Sequence, residues 1–362
     1  MKAGDQSALR AGNAAAIVVR LPNPAGDVVL ATPALRAIRR AFPAAKVTWA
    51  GRPAALALLD GLSDRDDVLP VWGRLDRGVL APRRLGRAMK RLGPDVVVVM
   101  PGSWSSALAA RASGAAARVG YARRGRGAVL TRGLEVEREG GRPLPLPMRA
   151  YYLALARAVG GDDDGLPPRL VVTSEGEVRA RSRLARDGAA GSAYFAVSPG
   201  AAFGPSKVYP PRLLSDVVRR VRAATGLLPL VLCGPGEEAL AAETVALVGA
   251  PALSTHDEVA RWPEAKALLQ GAALLLTPDA GPRHVAAALG TPVVSILGPT
   301  DPRWSAGDEA LVTVLRKEGL PCLSCHERIC PIAGHPCMET LDPAEVAAAC
   351  LARIAISPRT AR

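Results

Sequence analysis

The sequence predicts two consecutive α/β units, each an open sheet of parallel strands flanked by helices. Short β-branched runs alternate with longer amphipathic stretches along the chain, the pattern of strands joined by crossover helices. The alternation restarts after a stretch of small and polar residues near the middle. At 362 residues the chain also exceeds what one hydrophobic core organises, so two cores are expected. Hydrophobic residues make up 49% of the chain, which excludes a disordered one.

In the first half, strands are predicted at Ala15–Arg20, Lys46–Ala50 and Asp95–Val99. After the first of them, Thr32 and Pro33 read as a helix N-cap and first helical residue. Leu35, Ile38 and Phe42 then keep one helical face until Pro43 stops the helix. Gly160–Gly165, with three consecutive Asp, and Asp187–Ser192 are linker candidates, because neither can contribute to a core. The boundary is placed at the second, giving units over 1–187 and 193–345, with 346–362 read as a terminal helix and tail packing back on the first unit. Strands in the second half are predicted at Tyr194–Ser198, Pro229–Cys233, Ala272–Leu276 and Pro292–Leu297. No exact sequence repeat relates the halves.

Lys and Arg total 46 against 33 acids, a net charge of +13 that favours anionic partners. The basic residues cluster. One run holds Arg74, Arg77, Arg83, Arg84, Arg87, Lys90 and Arg91; another holds Arg111, Arg118, Arg123, Arg124, Arg126 and Arg132 without an acid. Such runs mark an acceptor-facing or membrane-facing surface, or a solvated helix face. Nucleic acid is disfavoured, with aromatic content at 4% and no reading motif. Apolar runs such as Ala14–Val19 and Val96–Met100 are too short to span a bilayer, and no apolar tract follows the basic start as a signal peptide requires. The expected location is the cytoplasm.

Four loops at strand ends carry the candidate chemistry. The first ends in Gly26-Asp27, where a glycine permits close backbone approach and a carboxylate can accept a hydroxyl proton. The second, Pro199-Gly200-Ala201 through Lys207, offers backbone amides and a cation to phosphate oxygens, although it lacks the Walker pattern. In the third, Glu237 follows Cys-Gly-Pro-Gly at a strand end, where a carboxylate can hold ribose hydroxyls. The fourth runs Asp279-Ala280-Gly281-Pro282-Arg283-His284 into an alanine-rich helix and makes a second anion site. Taken singly, each has a bland explanation: Asp27 caps a helix, Lys207 is solvated, Glu237 opens a helical turn, His284 packs. Their order at successive strand ends is the informative feature, and it suggests a diphosphate held by the second half and a base on the first.

On these residues the sequence resembles the heptosyltransferases of lipopolysaccharide synthesis, glycosyltransferase family 9. The resemblance runs from Ile17 to about Val346 and includes Arg20–Arg40, Gly114–Tyr121, Pro199–Pro210, the Gly-Pro-Gly-Glu stretch and Asp279–Pro302. Phe203–Pro210 looks most like the second heptosyltransferase subgroup, which carries Ala, Arg and Trp where this chain has Ser206, Val208 and Tyr209. The resemblance implies a GT-B fold of two Rossmann-like domains facing a central cleft. It also implies an ADP-heptose donor, a lipid-linked heptosyl–Kdo–lipid A acceptor and contact with the cytoplasmic leaflet of the inner membrane. No cofactor is implied for the chemistry. Asp27 falls on the family's general base, Lys207 on its diphosphate ligand, Glu237 on its ribose ligand and Asp279–His284 on its phosphate cradle. Two positions depart: the family carries Thr or Ser where Ala280 stands, and Met, Leu or a similar residue where Arg283 stands. The lost hydroxyl removes one phosphate contact, and the added arginine is expected to replace its charge.

Two alternatives remain: a transferase of the same family with another sugar or acceptor, and a nucleotide-sugar-binding protein without catalysis. The second is disfavoured because Asp27 and Lys207 are both present. Cys322, Cys325, Cys330 and Cys337, with His326 and His335 as substitute ligands, have a spacing that allows a structural zinc. Free thiols and a redox disulfide are the other readings of this cluster. Cys233 and Cys350 read as small core residues.

Overall fold

A computed structural model describes residues 14–139, 141–249, 251–307 and 310–356. The chain divides into two compact units, Met1–Arg169 and Leu170–Arg362. In the first, strands β1 (Ala16–Arg20), β2 (Lys46–Gly51), β3 (Asp67–Pro70), β4 (Val96–Val99), β5 (Ala117–Tyr121) and β6 (Arg132–Leu134) form one parallel sheet in the order β3-β2-β1-β4-β5-β6. A short antiparallel pair, β7 (Arg138–Glu139) and β8 (Arg142–Pro143), follows it. The four valines of β4 are all buried, as a strand covered on both faces requires.

The helices of this unit are α1 (Ala25–Leu30), α2 (Thr32–Ala41), α3 (Pro53–Leu58), α4 (Ala81–Lys90), α5 (Trp104–Ala112) and α6 (Met148–Arg157). Helix α2 buries Leu35 and Ile38 and stops at Phe42 ahead of Pro43, as the spacing predicts. Thr32 differs from its predicted role: Ala31 is the cap, and Thr32 Oγ1 donates to the Val29 carbonyl at 2.8 Å, stitching α2 to α1. Helix α1 has no counterpart in the sequence reading, because six residues are too few for a periodic signal.

The second unit opens with α7 (Ser174–Arg186), ahead of the break placed at Asp187–Ser192. Long-range contacts tie this helix into the second unit. Arg183 pairs with buried Glu264 and donates to the Glu258 carbonyl at 2.8 Å. Gly176 leaves room for the Pro263 backbone, where a Cβ would lie 2.2 Å from the carbonyl oxygen. The small-residue stretch is therefore the turn between α7 and the next strand.

Strands β9 (Tyr194–Val197), β10 (Leu228–Val231), β11 (Leu253–Ser254), β12 (Leu275–Pro278), β13 (Val293–Ile296) and β14 (Val312–Leu315) form the second parallel sheet, ordered β11-β10-β9-β12-β13-β14. Its topology repeats that of the first sheet without a sequence repeat. Helices α8 (Pro211–Thr225), α9 (Glu238–Val248), α10 (Trp262–Gly271), α11 (Gly281–Ala288), α12 (Pro336–Glu339) and α13 (Pro343–Ala355) accompany it. Helix α13 places Val346, Ala347, Cys350 and Ile354 in the core that holds Leu214, Val217 and Val221 of α8. The terminal helix, expected on the first unit, is thus built into the core of the second. Among the described residues, no helix is long and apolar enough to cross a membrane.

Candidate active site

In an open α/β sheet the ligand crevice lies where the strand order reverses, at the carboxyl ends of the two central strands. In the second unit those strands are β9 and β12, and the loops leaving them meet. Lys207, after β9, donates from Nζ to Asp279 Oδ2 at 2.7 Å and to the Asp279 carbonyl at 2.8 Å, just after β12. Thr300 Oγ1, after β13, donates to the same Oδ2 at 2.7 Å, and Arg283 reaches Oδ1 at 3.3 Å. Burial by itself raises the Asp279 pKa, but the charges of Lys207 and Arg283 overcome it and hold the carboxyl well below the usual range. An anionic aspartate thus fixes a buried lysine, whose third N–H makes no hydrogen bond among the described residues.

The Lys207 loop is shaped by Gly204, whose φ of 152° suits glycine and whose Cβ, if present, would lie 2.6 Å from the Arg328 carbonyl. Ser206 N donates to that carbonyl at 3.2 Å, and Lys207 Nζ lies 5.0 Å from the Phe203 ring centroid. Arg328 approaches the same ring at 5.8 Å. Pro199, Gly200 and Ala201 pass beneath Glu237. A Cβ on Gly200 would lie 2.2 Å from Glu237 Cδ, so the glycine makes room for the carboxylate, which accepts from Gly234 N at 2.9 Å. The structure therefore brings the predicted residues of three loops to neighbouring strand ends of one sheet.

At the start of α11, Ala280 is the N-cap without a side-chain hydrogen bond, and Pro282 supplies no N–H. Arg283 N bonds back to the Ala280 carbonyl at 3.2 Å, and among the described residues the Ala280 and Gly281 amides have no backbone partner. Arg283, expected to stand in for a lost hydroxyl at the phosphate, lies under the loop instead. It is buried and donates to Ser305 Oγ at 3.0 Å. His284 is buried too, and burial together with the Arg283 charge lowers its pKa to about 4, so it is neutral near pH 7.

Asp27 belongs to the first unit and stands in the first turn of α1, beyond the end of β1 at that sheet's own point of reversal. Gly26 beside it is helical and not left-handed, so it serves no tight turn. No hydrogen bond reaches the Asp27 side chain among the described residues, and burial raises its pKa to about 6. Arg20 at the strand end is also buried, donating to the Leu21 carbonyl at 2.6 Å and to Asn23 Oδ1 at 3.1 Å.

Cys322, Cys325, Cys330 and Cys337 border one recess with Ser206 and His335, and all six cysteines of the chain are free thiols. Among the described residues, no three His, Cys, Asp or Glu side chains are arranged to hold a metal. The zinc reading of this cluster therefore finds no support in its arrangement. His335 Nε2 is engaged with the Ser206 carbonyl at 2.9 Å, and the Cys330 thiol donates to the Ile332 carbonyl at 3.5 Å. Burial, with the neighbouring thiols, pushes Cys337 up to about 11. Cys233 and Cys350 are core residues, as predicted.

The sequence reading missed Thr300, Phe203 and Arg328. Thr300 was legible as a hydroxyl just past the strand predicted at Pro292–Leu297. Arg328 gave no signal, since it lies among the cysteines and reaches Phe203 across 125 positions of chain.

The profile of glycosyltransferase family 9 (heptosyltransferase) matches residues 82–335. Lipopolysaccharide heptosyltransferase 2 of Escherichia coli (strain K12) is 25% identical over 308 residues, covering 80% of this chain and 84% of the relative. The protein of the same name from Salmonella typhimurium is 26% identical over 304 residues, with the same coverage. Among solved structures, ADP-heptose LPS heptosyltransferase II of E. coli matches with a TM-score of 0.75 at 20% identity, over 94% of this chain and 98% of that one. A glycosyl transferase family 9 protein from Veillonella parvula matches with a TM-score of 0.79 at 18% identity, over 96% and 98%. The two six-stranded parallel sheets are those of the GT-B fold. Since the family profile covers well over half of its length, the chain belongs to glycosyltransferase family 9, the heptosyltransferases, and is a glycosyltransferase.

Proposed function

We propose that the chain transfers heptose from ADP-heptose, with inversion at the anomeric carbon, to the heptosyl–Kdo–lipid A inner core of lipopolysaccharide. The observation that carries this reading is the Lys207–Asp279 pair, set beside the open amides of α11 and on the same sheet edge as Glu237. A buried cation held by an anion, next to a helix N-terminus, suits the diphosphate of a nucleotide sugar. Glu237 takes the ribose hydroxyls. Asp27 accepts the proton of the acceptor hydroxyl as its oxygen bonds to the anomeric carbon and the bond from that carbon to the phosphate oxygen breaks. ADP leaves with the electron pair, and Lys207 and the Ala280 and Gly281 amides stabilise its charge. A pKa of about 6 suits Asp27 to this role, because it is ionised at neutral pH yet more basic than an ordinary carboxylate. The reaction runs in the cytoplasm, on an acceptor carried by the inner leaflet, and uses no cofactor.

The test is to incubate the protein with ADP-heptose and defined truncated core lipids and to weigh the products. Addition of one heptose to the acceptor bearing a first heptose is expected. The hydroxyl-free cap Ala280 favours a second reading, a donor other than ADP-heptose. Turnover of another nucleotide sugar, with none of ADP-heptose, would decide for it.

A further inference from the structure

The loop between β3 and α4 shows three large apolar side chains to solvent: Trp72 is 68% exposed, Val79 97% and Leu80 52%. Isolated exposed apolar residues are ordinary, but three on one short loop, including a tryptophan, need a partner. The loop does not fold them inward, because its backbone is closed by its own turns. Leu75 N donates to the Trp72 carbonyl at 3.0 Å, Arg77 N to Gly73 at 3.1 Å and Ala81 N to Gly78 at 3.0 Å.

The charge along this stretch is nearly all of one sign. Between Val68 and Pro94 the only acid is Asp76, which Arg52 holds at 2.9 Å. Arg74, Arg77, Arg83, Arg84 and Arg87 flank the apolar side chains, and none of these five makes an ion pair or side-chain hydrogen bond among the described residues. Arg83 and Arg87 stand one turn apart on the outer face of α4, whose inner face buries Leu85 and Met89. The other basic run is built differently. Arg126 is fully buried and donates to the carbonyls of Tyr121, Pro101 and Ser103, while Arg118 and Arg132 donate to the carbonyls of Ala115 and Ala158. Those three arginines hold the fold, whereas the run from Arg74 to Arg87 is left to an outside anion.

We infer that the Trp72–Leu80 loop is a membrane-docking tip, inserting Trp72, Val79 and Leu80 into the interface of an anionic bilayer while the flanking arginines bind lipid phosphates. An indole at headgroup depth, apolar side chains just below it and unpaired guanidinium groups around them match the layers of such an interface. The inference rests on the proposed transfer to a lipid-linked acceptor, and names the surface that brings the enzyme to it.

The full chain is sedimented with vesicles of phosphatidylcholine alone, and of phosphatidylcholine mixed with phosphatidylglycerol. Binding to the anionic vesicles only is expected. Arg74→Gln, Arg77→Gln and Arg83→Gln together lower that affinity about a hundredfold. Val79→Ser weakens binding as well, and a side chain this exposed cannot unfold the protein when replaced. Brominated phospholipid quenches the tryptophan emission of the wild type, and Trp72→Phe abolishes the quenching. Transfer to a lipid-free acceptor fragment stays at the wild-type rate in all these variants. Anionic-vesicle binding that survives all the substitutions, or quenching that survives Trp72→Phe, overturns the docking tip. Failure of the wild type to bind any vesicle overturns it too, while transfer to the lipid-free fragment leaves the proposed function standing. Loss of transfer from ADP-heptose with vesicle binding intact has the opposite meaning.

Discussion

Asp27→Asn separates catalysis from stability in a way that only a half-buried, desolvated base predicts. Burial raises the Asp27 carboxyl from 3.8 to about 6, and no hydrogen bond or cation among the described residues offsets it. The ionised form is therefore disfavoured in the folded protein, and the sign of the linkage is opposite to that of a salt-bridged aspartate. As pH rises from the unfolded value near 4 through the folded value near 6, the wild type loses stability, by up to about 3 kcal/mol for a shift of this size. The asparagine variant carries no such cost. At pH 7 it should unfold at higher denaturant concentration than the wild type, and the difference should vanish near pH 4. Turnover should move the other way. Wild-type kcat/KM should fall about tenfold between pH 7 and pH 5 as the base protonates, and the variant should lose roughly 10²–10⁴ in rate. Urea unfolding at the two pH values, with a pH–rate profile, measures both. A variant less stable than the wild type at pH 7, or an acid limb near pH 4, would refute the argument from burial.

Lys207→Met leaves the Asp279 carboxylate bonded to Arg283 and Thr300 among the described residues; unfolding free energy should drop by about 3 kcal/mol, and ADP affinity measured calorimetrically should fall at least tenfold. Gly200→Ala pushes a Cβ into the Glu237 carboxylate, so the donor KM should rise about tenfold with kcat little changed, as steady-state kinetics would show. The six thiols should alkylate in order of exposure and acidity, read by mass mapping. Cys325 reacts early, while buried Cys337 and Cys350, pushed up to about 11 and about 12, react last. Slow labelling of Cys325 that a chelator restores would revive a metal site.

The central strands were legible because a strand buried on both faces must be a short, continuous apolar run, as in Val96–Val99 and Tyr194–Val197. Edge strands such as β3, with its alternating burial over four residues, and the two-residue β11 carry too little pattern to be seen. The candidate site was legible only as a set of loops at strand ends, where ligands bind in such sheets. What each side chain does there was not. Nothing local distinguishes Arg283, buried beneath Asp279, from an arginine facing a phosphate, and nothing local tells buried Arg126 from exposed Arg83.

By itself the sequence determined the two-unit α/β architecture, the main strands and the loops that bear Asp27, Lys207, Glu237 and Asp279, because periodicity and turn chemistry act over a few residues. Tertiary structure alone decided that Lys207 is locked to an aspartate 72 positions away, that Gly200 makes room for Glu237, that α7 belongs to the second unit and α13 to its core, and that four of the cysteines line a recess as free thiols. The physical reason is that the charge state and partners of a polar side chain are set by whatever burial brings beside it, and those neighbours are distant in the chain.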